Sequence, residues 1–302
     1  MRPDARTARS WLFVPGDSDR KLQKCWSAGA DAVIVDLEDA VSAERKIEAR
    51  GIASAAIAVA KREHMLVIIR VNSRDTGLTE DDLAATFACR PDGYMLPKVD
   101  TAADITTTAE TIARLERDAG LAPDSVFLIP IVTETPAPVF RLPELCAAAS
   151  RNAAILWGSE DLSAAVGARR VKRPDGTMLD VFRTVRSMAL LAGSAAGLGT
   201  IDTPVIDFLD DDALAAEARE AFWMGFTGKL AIHPRQVPII NAAFTPEPAE
   251  IEDAYAIAAG AAESKGAAFR LGNRMIDMPH IKAAERLVAL DRTLKARAEA
   301  MQ

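Results

Sequence analysis

Charged and polar residues follow a series of short apolar segments along the chain, and their types suggest chemistry. Each stands where an apolar segment ends: Asp36, Glu38 and Asp39; Arg70 and Asn72; Lys98; Glu134; Glu160 and Asp161; Asp202; and His233. The carboxyl ends of the parallel strands in an α/β barrel open into one shared mouth, where catalytic groups collect. If the segments are such strands, the sequence predicts an acidic mouth that also contains a few positively charged side chains.

Glu134 and Asp161 are the candidate metal ligands. They are carboxylates on neighbouring segments, in a chain with three histidines and three widely separated cysteines. Mg²⁺ prefers oxygen ligands, takes one or two carboxylates and keeps positions for water and substrate. The pattern is compatible with a magnesium site, and it fits ion pairs of these carboxylates with Arg70 or Lys98 at least as well.

Three cationic or titratable side chains have two interpretations each. Arg70 ends an apolar segment, so its guanidinium could bind a substrate carboxylate or form a structural bridge to an acidic residue. Lys98 could form a Schiff base, as in class I aldolases, although the many carboxylates favour a protonated and paired amine. His233 precedes Pro234, where capping of the backbone and contact with a ligand both fit the sequence.

The elements that position these residues are eight predicted strands that alternate with helices. The segments are rich in Val, Ile and Leu and mostly lack alternation, as strands buried on both faces do. The predicted strands are Ser10–Pro15, Ala32–Leu37, Met65–Val71, Gly93–Pro97, Val126–Val132, Ala153–Trp157, Thr200–Ile206 and Lys229–Ile232. Helices are predicted at Ala43–Lys61, Ala102–Arg117, Leu179–Ala196 and Asp211–Met224. The count favours a single (β/α)8 TIM barrel over residues 1–245, with an open doubly wound sheet as the alternative.

Residues 246–302 form a predicted C-terminal helical extension. Two helices, Ala249–Lys265 and His280–Ala300, exceed what a barrel needs. We expect the extension to contact a neighbouring subunit, in a homotrimer or a homohexamer. The weakest parts of the barrel pattern are Gly51 and the segment Leu78–Arg90.

Composition argues against several classes of protein. A net charge of −7 and a pI near 5.2 argue against nucleic acid as the main partner. Met1–Arg9 carries three arginines but leads into no long apolar run, so we expect a cytoplasmic protein without a secretory signal or a membrane span. The cysteines show no CxxC spacing, which fits a reducing compartment. Dinucleotide, nucleotide and serine-hydrolase motifs of the GxGxxG, Walker A and GxSxG types do not occur.

Blocks of sequence in the same order resemble the citrate lyase β-subunit and malyl-CoA lyase family, within the HpcH/HpaI aldolase superfamily. They span nearly the whole chain: Arg9–Gly16, Gly29–Val41, Ile69–Asn72, Leu96–Lys98, Thr133–Pro136, Trp157–Leu162, Gly225–Pro234 and Met275–Pro279. The resemblance implies a barrel enzyme that binds Mg²⁺ through Glu134 and Asp161. It is specific for the family and only weakly specific for the substrate.

The resemblance also implies roles for further residues. Arg70 would hold the 2-oxo acid, and the acidic residues Asp36 and Glu38 would orient Arg70 and metal-bound waters as part of the catalytic group. The remaining substrate contacts would come from Gly158 and Ser159 at the oxo-acid carboxylate, and from Phe13, Arg20, Ile232 and His233 near the CoA thioester or its pantetheine arm. Asp277 would reach the active site of a neighbouring subunit as the catalytic acid or base.

The implied reaction is Mg²⁺-dependent cleavage or formation of a 3-hydroxyacyl-CoA, of the malyl-CoA or citryl-CoA type, from a short acyl-CoA and a 2-oxo acid. The alternatives are a citrate lyase β subunit that acts on an acyl-carrier thioester in a complex, and a metal-dependent aldolase on free 2-oxo acids. Two departures from the family affect substrate preference: Trp157, and the basic loop Arg169–Gly176, which could bind CoA phosphates or be a solvated surface loop.

Overall fold

A computed structural model describes residues 4–60 and 64–300 of the chain. The start of Met1–Arg9 and the last residue of the predicted helix Ala43–Lys61 lie outside these residues. Among the described residues no helix is long and apolar enough to cross a membrane.

The strands and helices alternate as predicted through the first 243 residues. The strands are β1 (Ser10–Pro15), β2 (Ala32–Asp36), β3 (Leu66–Arg70), β4 (Gly93–Leu96), β5 (Phe127–Pro130), β6 (Ala154–Leu156), β7 (Gly199–Asp202) and β8 (Gly228–Ala231). The helices are α1 (Asp19–Cys25), α2 (Lys46–Val59), α3 (Thr79–Thr86), α4 (Ala102–Asp118), α5 (Leu142–Cys146), α6 (Ser159–Ala165), α7 (Asp180–Ala195), α8 (Asp211–Met224) and α9 (Gln236–Ala243). The weak segment Leu78–Arg90 therefore contains α3, and Gly51 lies inside α2.

All eight strands are parallel and close into a barrel. Their order is β5-β4-β3-β2-β1-β8-β7-β6. The two outer members of this order, β5 and β6, are joined by backbone hydrogen bonds from Ala153 to Leu128 (3.0 Å) and from Val132 to Leu156 (3.0 Å). The barrel prediction is confirmed, and the open sheet is wrong.

Alternate residues of the strands fill the barrel. A single buried cluster contains Trp11, Ala32, Ile34, Leu66, Ile68, Met95, Ile129, Ile131, Ala154, Leu156, Ile201 and Leu230. Successive strand residues point to opposite faces, so each residue two positions beyond a cluster member also points inward. This rule places Asp36 and Arg70 inside the barrel, above Ile34 and Ile68.

Local sequence signals set the ends of several elements. The Asp210 side chain accepts a hydrogen bond from the Ala213 N–H (2.9 Å) at the start of α8, and Gly225 ends that helix with a φ of 106°. β7 stops at Asp202, four residues before its predicted end. Pro204 follows closely and has no N–H for a strand ladder, which accounts for the shorter strand.

The chain divides into two compact units, Arg2–Asn241 and Ala242–Gln302. The second contains α10 (Pro248–Glu263), β9 (Phe269–Leu271), β10 (Arg274–Ile276) and α11 (Met278–Ala300), around a small core that includes Ile257, Ile276 and Ile281. The β9–β10 hairpin was not predicted, although Gly272-Asn273 is a turn signal for two short strands. The boundary after residue 245 and the contact with a neighbouring subunit stay predictions.

Candidate functional site

Arg70 lies at the centre of a charged cluster inside the barrel mouth. Its Nε and Nη2 donate to the two carboxylate oxygens of Asp36 at 2.7 and 2.6 Å, and Nη1 lies 2.9 Å from Glu38 Oε2. The guanidinium carbon is 4.7 Å from the centre of the Phe13 ring. A planar fork bound on one edge and stacked on one face has a single orientation. Arg70 therefore makes the contacts expected of a structural bridge to acidic residues, and these contacts fix the orientation of its guanidinium.

Asp36 also organises the chain that follows β2. Its carboxylate accepts the backbone N–H groups of Glu38 (2.8 Å) and Ala40 (3.1 Å). These bonds place Glu38 beside Arg70. Asp36 and Glu38 thus hold the guanidinium from two sides, which agrees with the orienting role expected of them.

Lys98 contacts three carboxylates through two different groups. Its ammonium contacts Glu38 and lies 3.3 Å from Asp39, and its backbone N–H donates to Glu134. The backbone adopts a left-handed conformation (φ 50°) to do so. Burial lowers the pKa of Lys98, but hydrogen bonding and charge from Glu38, with further carboxylates nearby, outweigh it and raise the pKa above its usual value. A protonated amine is a poor Schiff-base nucleophile, so the paired interpretation fits the structure.

Glu134 and Asp161 form the acidic part of the mouth. Glu134 follows β5 and is 4% exposed, while Asp161 is the third residue of α6. Burial, followed by the charges of Asp161 and Glu38, raises the pKa of Glu134 to about 8, against opposing effects of the Lys98 N–H and Arg70. Within residues 4–60 and 64–300 neither carboxylate forms a salt bridge with Arg70 or Lys98, which pair with Asp36, Glu38 and Asp39 instead. The described residues therefore give no salt-bridge support to the ion-pair alternative, and the metal-binding role of Glu134 and Asp161 stays a prediction.

This donor set fits a magnesium ion. A buried carboxylate beside a second one carries excess negative charge, which a divalent cation neutralises. The part of the chain that the structure describes has no group of three or more His, Cys, Asp or Glu side chains arranged for a metal. Mg²⁺ needs only one or two carboxylates and fills its octahedron with water and substrate oxygens. Zinc sites usually need three or four protein ligands, often with nitrogen or sulfur.

A cavity of about 390 Å³ brings most of the predicted residues together. Ten of them line it: Phe13, Asp36, Asp39, Arg70, Glu134, Gly158, Ser159, Glu160, Asp161 and Ile232. Glu38 is not among the lining residues and lies behind Arg70. Thr203 and Pro204 also line the cavity and were missed by the sequence analysis. Strand residues point alternately inward and outward, so Thr203 should point inward as Ile201 does. This signal could have identified Thr203 as a cavity residue, but the end of β7 was not known from the sequence.

Gly158 and Ser159 use some of their hydrogen-bonding groups inside the protein. The Gly158 N–H donates to Thr133 Oγ1 (3.0 Å), and Ser159 Oγ lies 3.0 Å from Thr203 Oγ1. A Cβ on residue 158 would lie 3.0 Å from Glu134 Cγ, closer than most side chains tolerate. Gly158 therefore makes room for Glu134, and its expected donation to a substrate carboxylate would compete with Thr133.

Asp202 is not in the mouth, contrary to the sequence-based prediction. It follows Ile201 and so points outward from the barrel, where it is 1% exposed. Its carboxylate accepts hydrogen bonds from Trp157 Nε1 (2.8 Å), Arg186 Nε and Nη2 (both 3.1 Å) and Lys229 Nζ (2.8 Å). The Trp157 indole is accordingly tied to this outer network, but Trp157 also lines the cavity, so its effect on substrate preference stays a prediction.

Asp202→Asn is expected to destabilise the protein by about 3–5 kcal/mol, because Lys229 and Arg186 would remain buried without their carboxylate. Burial raises the pKa of Asp202, but Lys229 and Arg186 outweigh it and lower the pKa to about 2. The difference in unfolding free energy between wild type and variant should be constant above about pH 4 and shrink as the pH falls through 2. Urea unfolding over this range measures it, and a difference that grows in acid would contradict the assignment.

The remaining predicted contacts near the thioester lie on the exposed surface of the barrel unit. Arg20 is exposed on α1, and His233 follows β8. His233 Nδ1 accepts the backbone N–H of Arg235 (3.2 Å), and its ring stacks on Phe208 with centroids 4.8 Å apart. The contacts that His233 makes within the protein therefore match the backbone-capping interpretation.

The basic loop Arg169–Gly176 is partly neutralised within the chain. Lys172 contacts Glu217, and Arg173 pairs with Asp180 at 3.2 Å. Arg169 and Arg170 are exposed. Two of the four cations are therefore engaged by the protein, which weakens the case for a dedicated phosphate site.

Asp277 belongs to the C-terminal unit. It directly precedes α11, where its carbonyl accepts the Ile281 N–H (3.0 Å) and its carboxylate contacts His280 Nδ1. The side chain is about half exposed. An exposed carboxylate with one histidine neighbour is available to a second subunit.

Comparison with known proteins adds to this geometry. The model of the HpcH/HpaI aldolase/citrate lyase family matches residues 9–234. A (3S)-malyl-CoA thioesterase from Cereibacter sphaeroides is 37% identical over 254 residues, which are 83% of this chain and 82% of that protein. The mitochondrial citramalyl-CoA lyase of Mus musculus is 32% identical over 307 residues, which cover 95% of this chain and 87% of the relative.

A solved structure supports the same relationship. The protein CitE from Mycobacterium tuberculosis, in complex with magnesium, acetoacetate and coenzyme A, superimposes with a TM-score of 0.78 at 32% identity. The similarity covers 95% of this chain and 99% of that one. It therefore includes the barrel and reaches into the C-terminal unit.

Proposed function

The chain belongs to the HpcH/HpaI aldolase/citrate lyase family, and we propose that it is a Mg²⁺-dependent carbon–carbon lyase. Its substrate would be a 3-hydroxyacyl-CoA, cleaved to or formed from a short acyl-CoA and a 2-oxo acid. The named relatives are enzymes of CoA thioesters. The observation that carries the proposal is the buried Glu134 beside Asp161 in one cavity with an oriented Arg70.

Glu134 and Asp161 would hold the magnesium ion. When bound, Mg²⁺ would polarise the oxygens of the oxo acid as a Lewis acid and align them. The CitE complex with magnesium and acetoacetate supports this, because its barrel superimposes on the one described here. Gly158 leaves room for Glu134 at this position.

Arg70 would bind the oxo-acid end of the substrate and stabilise charge on its 3-oxygen. In cleavage, the 3-hydroxyl would give its proton to a water molecule in the open mouth, the bond between C2 and C3 would break, and its electron pair would move into the thioester enolate. Fixed donors aimed at developing charge lower the barrier because they need no reorganisation. Asp36 and Glu38 supply that fixation for Arg70.

Asp277 of a neighbouring subunit would complete the site. It would protonate the enolate carbon in cleavage and remove that proton in condensation. A homotrimer or homohexamer is then required for activity. The exposure of Asp277 at the start of α11 supports this role.

The thioester end would lie along the apolar side of the mouth. Phe13 and Ile232 line the cavity and could contact the thioester and pantetheine. Arg20 and His233 are exposed and could contact the outer part of CoA. A cytoplasmic location is part of the proposal, supported by three buried cysteine thiols.

A second candidate is hydrolysis of the thioester after condensation, suggested by the malyl-CoA thioesterase relative. The family resemblance also leaves room for an acyl-carrier thioester as substrate within a complex, and for an aldolase reaction on free 2-oxo acids. The relatives named for CoA thioesters favour free CoA substrates over both.

Condensation assays test the proposal. Acetyl-CoA and propionyl-CoA are incubated with a panel of 2-oxo acids, with Mg²⁺ and with EDTA, and products are identified by mass. We expect a metal-dependent 3-hydroxyacyl-CoA, and free 3-hydroxy acid with CoA if a thioesterase step follows. Turnover of free oxo acids and aldehydes without CoA would instead establish the aldolase, and absence of product from folded, Mg²⁺-loaded protein would refute the free-CoA lyase.

A further inference from the structure

Lys229 is a fully buried ammonium group that the proposed chemistry does not use. It lies on β8 next to Leu230 and points outward from the barrel, with 0% of its surface exposed. Its Nζ donates to Asp202 Oδ2 at 2.8 Å and to the backbone carbonyl of Thr203 at 2.7 Å. Burying an ion pair costs more desolvation than a hydrophobic pair of similar size, so stability alone is a weak reason for it.

Charge balance is also a weak reason. Arg186 already makes two hydrogen bonds to Asp202, at 3.1 Å each, and its contact with Glu220 at 3.4 Å is to a carboxylate that is 61% exposed and so solvated. What Lys229 adds is the bond to the Thr203 carbonyl. This bond ties the end of β7 to β8 at the carboxyl end of the barrel.

The groups that Lys229 holds converge on one turn of the active site. Thr203 Oγ1 lies 3.0 Å from Ser159 Oγ, and Asp202 Oδ1 accepts the Trp157 indole N–H at 2.8 Å. Trp157 and Ser159 flank Gly158, and Asp161 follows two residues after Ser159. Trp157, at the start of the turn that carries Asp161, and Ser159, in its middle, are therefore both fastened to residues that Lys229 holds.

We propose that Lys229 is a positioning residue that acts through Asp202 and Thr203 to hold the Trp157–Asp161 turn, so that Asp161 faces Glu134. The inference rests on the proposed function, because it takes these two carboxylates as the magnesium ligands. Outer hydrogen bonds of this kind fix the direction of a metal ligand, and their loss weakens metal binding. In Lys229→Met, the side chain would fill the space but donate no hydrogen bond to Asp202 or to the Thr203 carbonyl.

The test is Mg²⁺ binding by calorimetry to substrate-free protein, with folding checked by urea unfolding. We expect Lys229→Met and Thr203→Val each to weaken binding by about 10–100-fold. Thr203→Ser keeps the hydroxyl and should restore the wild-type affinity. Thr227→Val is the matched control, because Thr227 joins the same two strands at their opposite ends through bonds to Thr200 of 3.0 and 3.1 Å.

The outcomes separate the inference from the proposed function. If wild type binds Mg²⁺, Glu134→Gln does not, and folded Lys229→Met and Thr203→Val bind as wild type, the positioning role is overturned and the lyase proposal stands. If Glu134→Gln binds as tightly as wild type, the metal site is elsewhere and both fail. Thr203→Val leaves the ion pair intact and removes only the hydroxyl contact with Ser159, so if Lys229→Met does not fold, wild-type Mg²⁺ affinity in folded Thr203→Val overturns the inference.

Discussion

Arg70→Lys is expected to lower kcat/KM by about 10²–10³-fold, the usual cost of a lost donor at developing negative charge. Lysine keeps the positive charge but not the planar fork that binds both oxygens of Asp36 while its third nitrogen approaches Glu38. The ammonium of the substituted lysine would lie against Asp36 and would no longer reach the cavity. Steady-state kinetics of the condensation should show the loss mainly in kcat, because fixed charge stabilisation is greatest in the transition state.

Arg50→Lys is a matched control for this variant. Arg50 is 11% exposed, as Arg70 is, and pairs with the buried Asp82 at 2.7 Å, but it does not line the cavity. Both variants lose charged hydrogen bonds and should each lose about 1–3 kcal/mol of stability. Only Arg70→Lys should lose activity, and equal activity losses in both variants would show that Arg70 acts only through stability.

Asp277→Asn is expected to lower kcat by about 10²–10⁴-fold, with Mg²⁺ binding unchanged, because it removes a proton donor and leaves the barrel ligands intact. Asparagine has nearly the same shape and can still contact His280. Kinetics and calorimetry on the same preparation separate the two effects. Asp253→Asn is the control, since Asp253 is an exposed carboxylate of the same unit, paired with Arg274.

Mixing inactive variants tests whether Asp277 serves another subunit. Arg70→Lys and Asp277→Asn are unfolded together, refolded and assayed. If each site takes Arg70 from one subunit and Asp277 from the next, about a quarter of the sites in random oligomers are intact. Activity should rise to roughly that share of wild type, whereas a site built within one chain would gain nothing.

Much of the barrel could be predicted because its signals are local. Short runs of Val, Ile and Leu mark each strand, and a charged residue within two positions of the run marks its carboxyl end, as at Asp36, Arg70 and Glu134. Parallel topology then brings these ends to one mouth. The acidic site and its likeness to a magnesium-dependent family both follow from these local signals.

The partners within the mouth could not be predicted, because each depends on which side of a strand a residue faces and on what lies across the barrel. Asp202 and Glu134 both end apolar runs, yet one faces the helices and the other the cavity. The sequence by itself determined the fold family and the acidic residues at the strand ends. Only the tertiary structure decided that Arg70 pairs with Asp36, and that Lys229 reaches the turn of Asp161 through Thr203, because these contacts join residues 26 or more positions apart in the chain.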